Sequence, residues 1–276
     1  MNLTNIYNLP DAIVRAVKND PYDPGTCDIT VTKLISSPRK VQLEKRHAKE
    51  LTEDVADRVW ALLGQAVHGV LERAEVEAVT EKRLSIERQG SVISGQFDRL
   101  VVQDGLLQDY KLTSVYAVRD GAKAEWEAQL NVLATILREH GYVVKALEVV
   151  VILRDWSKSR AGNGDYPDAP IMTISVPMWS EEKSECYIDE RIRLHQMAEL
   201  ELPECSAEER WYTGDSWALM KEGRKTAVRV FSSEDEAGRA LVAAGDKHYI
   251  DHRPGRNIRC DGYCCVARWC EQCQKS

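Results

Sequence analysis

The 276-residue chain carries 37 basic and 44 acidic side chains, a formal net charge of −7, with 43% hydrophobic and 7% aromatic residues. That length supports a full buried core, and the negative balance excludes a uniformly basic coat for nucleic acid. No stretch is apolar enough for a membrane span and none has the make-up of a signal peptide, so a cytoplasmic protein without membrane association is expected.

The first strongly periodic segment is Asp54–Val79, where Trp60, Leu63, Val67, Val70 or Leu71, and Ala74 form an apolar stripe at helical spacing. His68 lies on the edge of that stripe. Gly64, one turn earlier, offers room for the close approach of a backbone or ligand. Alone, His68 reads as an ordinary core histidine.

Next come two runs of strand formers, Ser91–Gln103 and Leu106–Leu112, joined by Asp104-Gly105, a dipeptide that favours a two-residue hairpin turn. A tight turn there pairs Gln103 with Leu106, sets Asp98 opposite Lys111, and puts Asp109 on the same face as both. Two carboxylates able to share a divalent cation, beside an ammonium group, outline a phosphodiesterase site. In isolation an Asp-x-Lys is more often a surface salt bridge.

Lys123–His140 reads as a second amphipathic helix stopped by Gly141, with Trp126, Leu130, Leu133, Ala134 and Leu137 on its apolar stripe and Gln129 on the flank. Ala146–Arg154 is a nearly continuous apolar run, the pattern of a buried strand. Ser157–Pro170 is a loop, Ile171–Pro177 a further strand, and Ser180–Leu200 an acidic helix. From Pro203 the texture changes. Trp217–Met220 and Thr226–Phe231 suggest a short hairpin, and Glu234–Ala244 a helix. The expected organisation is a core over 1–202, a small α+β insertion over 203–252, and a tail over 253–276. Acidic residues concentrate in Glu181–Glu209. Basic ones gather at Arg39, Lys40, Lys45, Arg46 and Lys49, at Arg154, Lys158 and Arg160, and at Arg253, Arg256, Arg259 and Arg268. Such runs are often solvated faces, but three of them around one site make a nucleic-acid channel plausible.

The tail holds Cys260, Cys264, Cys265, Cys270 and Cys273, five of the eight cysteines. Their near absence elsewhere argues against a disulfide scaffold. The spacing of Cys260, Cys264, Cys270 and Cys273 suits a metal ion or an iron–sulfur cluster, with zinc and iron both open.

Taken in order, Gly-x-x-x-His on a helix, Gly95-x-x-Asp98, Asp109-x-Lys111 on paired strands, and a helix with Gln129-Leu130 resemble the PD-(D/E)xK nucleases. The likeness is to the RecB/AddB-type branch and the CRISPR-associated iron–sulfur exonucleases, and it spans roughly the first half of the chain. It implies a restriction-endonuclease-like α/β core, a mixed central sheet flanked by helices. It also implies a Mg²⁺- or Mn²⁺-dependent deoxyribonuclease, an exonuclease in the first instance. The resemblance assigns metal binding to His68, Asp98, Asp109 and the Tyr110 carbonyl. Asp98, Asp109, Lys111 and Gln129 become catalytic, with Lys111 orienting or activating water. Leu133 stands where the family's glutamine motif usually ends in tyrosine. In the iron–sulfur members three C-terminal cysteines join one N-terminal cysteine around a [4Fe–4S] cluster. Cys260, Cys264 and Cys270 resemble that trio. Thr30–Arg39 resembles the family's opening helix but has Ser37 where cysteine usually precedes the proline, leaving Cys273, or Cys27, as the fourth ligand. Glu208–Phe231 resembles a region of phage and prophage members, which implies phage recombination or DNA processing, with a recombination, annealing or helicase partner. The competing expectations are a catalytically silent DNA-binding or recombination-accessory protein, and a zinc-stabilised adaptor.

Overall fold

The computed structural model describes residues 2–74, 77–119 and 121–275. The chain divides into two compact units, Met1–Gln42 with His47–Leu202, and Leu43–Arg46 with Pro203–Ser276.

The first unit runs β1 (Asn2–Thr4), α1 (Asp11–Lys18), β2 (Ile29–Thr30), α2 (Val31–Leu34), α3 (Pro38–Arg46, continuing into the second unit), β3 (Thr52–Asp54), α4 (Val59–Ala74), β4 (Val79–Arg88), β5 (Ser91–Val101), β6 (Leu106–Thr113), α5 (Ala124–Glu139), β7 (Ala146–Leu153), β8 (Ile171–Val176) and α6 (Glu181–Leu200). Its main sheet has six strands in the order β2-β5-β6-β7-β8, with β4 on the other edge of β5. The sheet is mixed: β2 with β5 and β6 with β7 are parallel, the other pairs antiparallel. A parallel pair needs a crossover, and α5 supplies it between β6 and β7.

Helix α5 is buried almost all round, with Leu130, Val132, Leu133, Ala134, Ile136 and Leu137 each at most 2% exposed. Its core role therefore goes well beyond the single stripe that periodicity suggests. Against it lie Ile93 and Phe97 of β5, Leu107 of β6, and Val149 and Val151 of β7. Gly95 makes the contact possible, because a Cβ there would sit 2.5 Å from Leu133 Cδ2 and 2.8 Å from Val31 Cγ2. Within this apolar layer Asn131 is 1% exposed. Its amide donates to the Glu127 and Pro177 carbonyls and its oxygen accepts from the Trp179 N–H, so no polar group is stranded. Helix α6 braces the turn between α2 and α3, with Arg191 donating to the Leu34 carbonyl at 3.0 Å.

Four sequence expectations change. The β5–β6 connection is longer than two residues: Val101 pairs with Leu106, leaving Val102–Gly105 as the loop. Gly105 takes φ +66° and its N–H bonds to the Val101 carbonyl, closing a wider turn than Asp-Gly alone implies. This moves the register by two residues, so the level of Asp98 corresponds to Asp109 rather than Lys111. The stripe of α4 does not enter the core. Trp60, Leu63 and Val70 are 52%, 43% and 55% exposed, and no residue of the helix is buried. Nothing lies within 4 Å of where a Gly64 Cβ would stand, so that glycine admits no close neighbour. Finally, β4 was not anticipated, although Gln89-Gly90, both at positive φ, forms the tight turn that pairs Arg88 with Ser91.

The second unit carries β9 (Ser216–Lys221), β10 (Arg229–Phe231), α7 (Glu234–Ala244), β11 (His248–Arg253), α8 (Ile258–Gly262) and α9 (Glu271–Gln274). The expected hairpin is β9 with β10. Strand β11 adds to the other edge of β9, making a three-stranded antiparallel sheet over which Ala237 of α7 and Leu219 and Phe231 of the strands form a small core. Among the described residues no helix is long and apolar enough to cross a membrane.

Candidate active site at the open edge of β5

One edge of β5 is covered by β4. On the other, pairing with β2 ends at Ser94 and pairing with β6 begins at Arg99. The stretch Gly95–Asp98 between those partners is where the candidate residues meet. Asp98 takes the Tyr110 N–H with Oδ2 at 2.6 Å, while its Oδ1 lies 3.6 Å from His68 Nδ1 of α4. His68 Nδ1 is also 3.0 Å from Glu81 Oε1 of β4, and the His68 ring stands edge-on to Tyr110. Gln96 donates to Glu81 Oε2 at 2.7 Å and accepts from Arg83 at 3.0 Å, which fixes the glutamate from behind.

From β6, Asp109 is 3% exposed and Lys111 reaches to 2.7 Å from its Oδ2. Gln129 of α5 bridges the two, donating to Asp109 Oδ1 and accepting from the Lys111 ammonium, both at 3.1 Å. The structure thus brings together His68, Asp98, Tyr110, Asp109, Lys111 and Gln129. A cavity of about 230 Å³ opens onto this group, lined in part by His68, Glu81, Asp98, Gln129, Tyr22 and Arg83.

Glu81 is the site residue that sequence reasoning missed. Counting outward from the Gln89-Gly90 turn, the β4–β5 ladder sets position 81 level with Asp98, so the signal was the unrecognised hairpin. The ladder keeps its register on both sides of Glu81 but records no rung there, and Glu81 takes φ +48°. A glutamate in the left-handed region costs on the order of 1 kcal/mol, strain that tends to gather at functional sites.

The residues fit a hard divalent cation. One ligand atom each from His68, Glu81 and Asp98 lie within 4.8 Å of one another, the one such group among the described residues. Asp109 Oδ2 is fully buried, and the Lys111 ion pair meets it outside hydrogen-bond alignment, so a buried anionic oxygen retains an unfilled lone pair. Electrostatics point the same way. Burial, then the nearby Asp109 charge, raises Asp98 to about 7. The hydrogen bond to Glu81 raises His68 to about 8 against the opposing effect of burial. Burial acts to raise Glu81 as well, but the bonds from His68 and Gln96 outweigh it and hold its carboxyl below the ordinary value. Burial works against the Lys111 charge too. Asp109 more than offsets it, and the ammonium titrates above its usual range. Acids crowded to this degree are the arrangement a cation relieves.

The basic runs have mixed fates. Arg39 is buried and donates to the Leu202 carbonyl at 3.1 Å, which takes it out of any surface channel. Arg154 stacks on Trp60 at 4.0 Å and Arg160 on Tyr166 at 4.4 Å.

In the second unit, Cys260 lies in α8, Cys270 caps α9 and Cys273 lies inside α9. All eight cysteines of the chain are reduced thiols. The Cys273 thiol donates to the Cys260 carbonyl at 3.7 Å. Burial, followed by the charges of Cys273, Cys264 and Cys205, pushes the Cys260 thiol up to about 11. Cys265 donates to Glu44 at 3.1 Å. In the first unit, Cys27 donates to the Pro24 carbonyl and lies 3.2 Å from Ser94 Oγ.

No family profile matches the chain, and no curated protein matches it. Among solved structures, the chain is similar to SSO0001, with a TM-score of 0.50 and 19% identity over 72% of this chain and 90% of that one. A phage related exonuclease from Haemophilus somnus 129PT also aligns, at a TM-score of 0.29 and 14% identity over 69% of this chain and 82% of that one, too loosely to support any transfer of activity. The conclusion the likeness to SSO0001 carries is one of fold alone: a mixed α/β protein whose multi-stranded sheet is flanked by helices.

Proposed function

We propose that this protein is a metal-dependent deoxyribonuclease of the PD-(D/E)xK kind, hydrolysing phosphodiester bonds of DNA with Mg²⁺ or Mn²⁺. The observation that carries the reading is the convergence of Asp98, Asp109, Lys111 and Gln129 on the open edge of β5, with His68 and Glu81 opposite and a buried Asp109 oxygen left with a free lone pair. His68, Glu81, Asp98 and Asp109 would hold the ion. A divalent ion bound there would supply Lewis-acid polarisation of the scissile phosphate and a more acidic water.

The chain's own residues then divide the work. Lys111 is held by Asp109 at 2.7 Å and Gln129 at 3.1 Å, and its raised pKa keeps it cationic at neutral pH. It therefore acts as a fixed positive charge for the developing phosphorane rather than as a proton acceptor. Gln129 neither gains nor loses a proton. It orients Lys111 and Asp109 against each other from α5, the most deeply buried helix. Glu81 and Asp98 both face His68 Nδ1, so the three present their ligand atoms to one point.

The deciding experiment is incubation of purified protein with linear single- and double-stranded DNA and Mn²⁺, beside an EDTA control and the Asp109→Asn variant. Cleavage by wild type that is lost in both controls supports the reading. Equal cleavage by Asp109→Asn refutes it, and DNA binding without cleavage would favour the accessory-protein reading.

A further inference from the structure

The second unit places a sixth thiol where the tail sequence by itself would not supply one. Cys205 is separated from Cys260 by more than fifty positions, yet its backbone is fastened to the tail from both sides. The Cys205 N–H donates to Gln272 Oε1 at 2.8 Å, and Gln272 Nε2 donates to the Cys205 carbonyl at 3.0 Å. Gln272 immediately precedes Cys273, so this two-point amide clamp holds Cys205 beside α9. The residues that follow are tied down as well. Arg259 N–H bonds to the Arg210 carbonyl, Thr213 N–H to the Arg256 carbonyl, and Tyr212 bridges to Asn257. The stretch from Cys205 to Thr213 thus runs along the segment that leads into α8. Cys260 in turn has Cys273, Cys264 and Cys205 as its electrostatic neighbours.

We infer that Cys205, Cys260, Cys264 and Cys273 form one tetrathiolate metal centre, with Cys205 as the long-range ligand that joins the start of the second unit to its end. Cys264 stands four positions after Cys260, just past the end of α8, and its charge acts on the Cys260 thiol. Cys273 already touches the Cys260 backbone. Four thiolates at tetrahedral spacing suit Zn²⁺, and the same set suits a [4Fe–4S] cluster; thiolate ligation is the shared chemistry. Cys270, 6% exposed and at the start of α9, acts as a core side chain in this scheme. Cys265 is engaged with Glu44. The inference concerns the second unit and is independent of the nuclease reading.

The first test uses the wild-type full chain, purified anaerobically and assayed for iron, sulfide and zinc. Brown protein with about four irons and four sulfides per chain identifies the cluster, and colourless protein with one zinc identifies the mononuclear site. Protein that carries neither, and whose metal-stripped form takes up no added Zn²⁺, overturns the inference. The second test is differential alkylation of loaded and metal-stripped protein, read by peptide mass spectrometry. Cys205, Cys260, Cys264 and Cys273 should be protected only in the loaded state, while Cys186 and Cys265, both exposed, react in both. Equal labelling of Cys205 in the two states overturns its assignment. Cys205→Ser should weaken metal retention more than tenfold and Cys270→Ser should not. The reverse order would replace Cys205 by Cys270. Because alkylation uses unmutated protein, a variant that fails to fold does not shelter the inference.

Discussion

Gly95→Ala tests whether the close seat of α5 on β5 assembles the site. The added Cβ would lie 2.5 Å from Leu133 Cδ2, 2.8 Å from Val31 Cγ2 and 3.3 Å from Ile136 Cδ1, where carbon atoms prefer about 3.5–4.0 Å. Both Leu133 and Val31 are buried, at 2% and 3% exposure, and cannot swing into solvent. Relieving the clash therefore means moving α5 or α2 by about 1 Å, an overpacking cost of about 1–3 kcal/mol. The substitution also stiffens the unfolded chain, which returns about 0.4–1 kcal/mol. A net loss of about 1–2 kcal/mol is expected in urea unfolding, provided the transition is two-state. Gln129 lies one turn before Leu133, and its two 3.1 Å bonds to Asp109 and Lys111 tolerate little displacement. A shift of about 1 Å should cut turnover by about a hundredfold while the protein remains folded. Leu133→Ala removes the nearest obstacle. In the double variant the two changes should couple by about 1 kcal/mol or more, since each alone opens or fills the space the other uses. Wild-type stability and activity in Gly95→Ala, or additivity with Leu133→Ala within about 0.5 kcal/mol, would refute this account of the motif glycine.

The remaining expectations bear on the site itself. Lys111→Ala should lower cleavage by about two to three orders of magnitude while Mn²⁺ still binds, measured by single-turnover kinetics beside calorimetry; loss of Mn²⁺ binding would mean Lys111 organises the ligands instead. Glu81→Gln should weaken Mn²⁺ affinity by about tenfold or more and return His68 from about 8 toward its ordinary 6.5, followed by NMR titration of the metal-free protein; an unmoved His68 would remove Glu81 from the site. In the metal-free protein the raised His68 stabilises the fold fully below pH 6.5 and loses that contribution as pH rises through about 8. Asp98, raised to about 7, acts with the same sign, because charging its buried carboxyl becomes costly as pH rises toward 7. Melting temperature with EDTA should therefore fall between about pH 6 and pH 8.5, and Mn²⁺ should reverse the fall; a pH-independent melt would contradict the clustering of these groups.

Sequence alone determined the local elements. Helix α5 follows from periodicity and strand β7 from its continuous apolar run, α6 is capped by the Ser180 hydroxyl, and the order of His68, Asp98, Asp109, Lys111 and Gln129 was readable because each stands in a short, patterned segment. Composition and spacing likewise drew attention to the cysteine tail. The tertiary structure decided what depends on partners distant in the chain. It set the β5–β6 register, because the Val102–Gly105 loop rather than the Asp-Gly dipeptide closes the turn. The stripe of α4 stays exposed, since an amphipathic pattern states that a face is apolar and not that anything covers it. Glu81 enters the site through a backbone at φ +48° that no residue pattern encodes for a glutamate. Cys205 reaches the tail through the amide of Gln272, a contact between segments about seventy residues apart. Local propensity acts over a few residues, whereas a binding site is an intersection of elements, and only the packed chain specifies where elements cross.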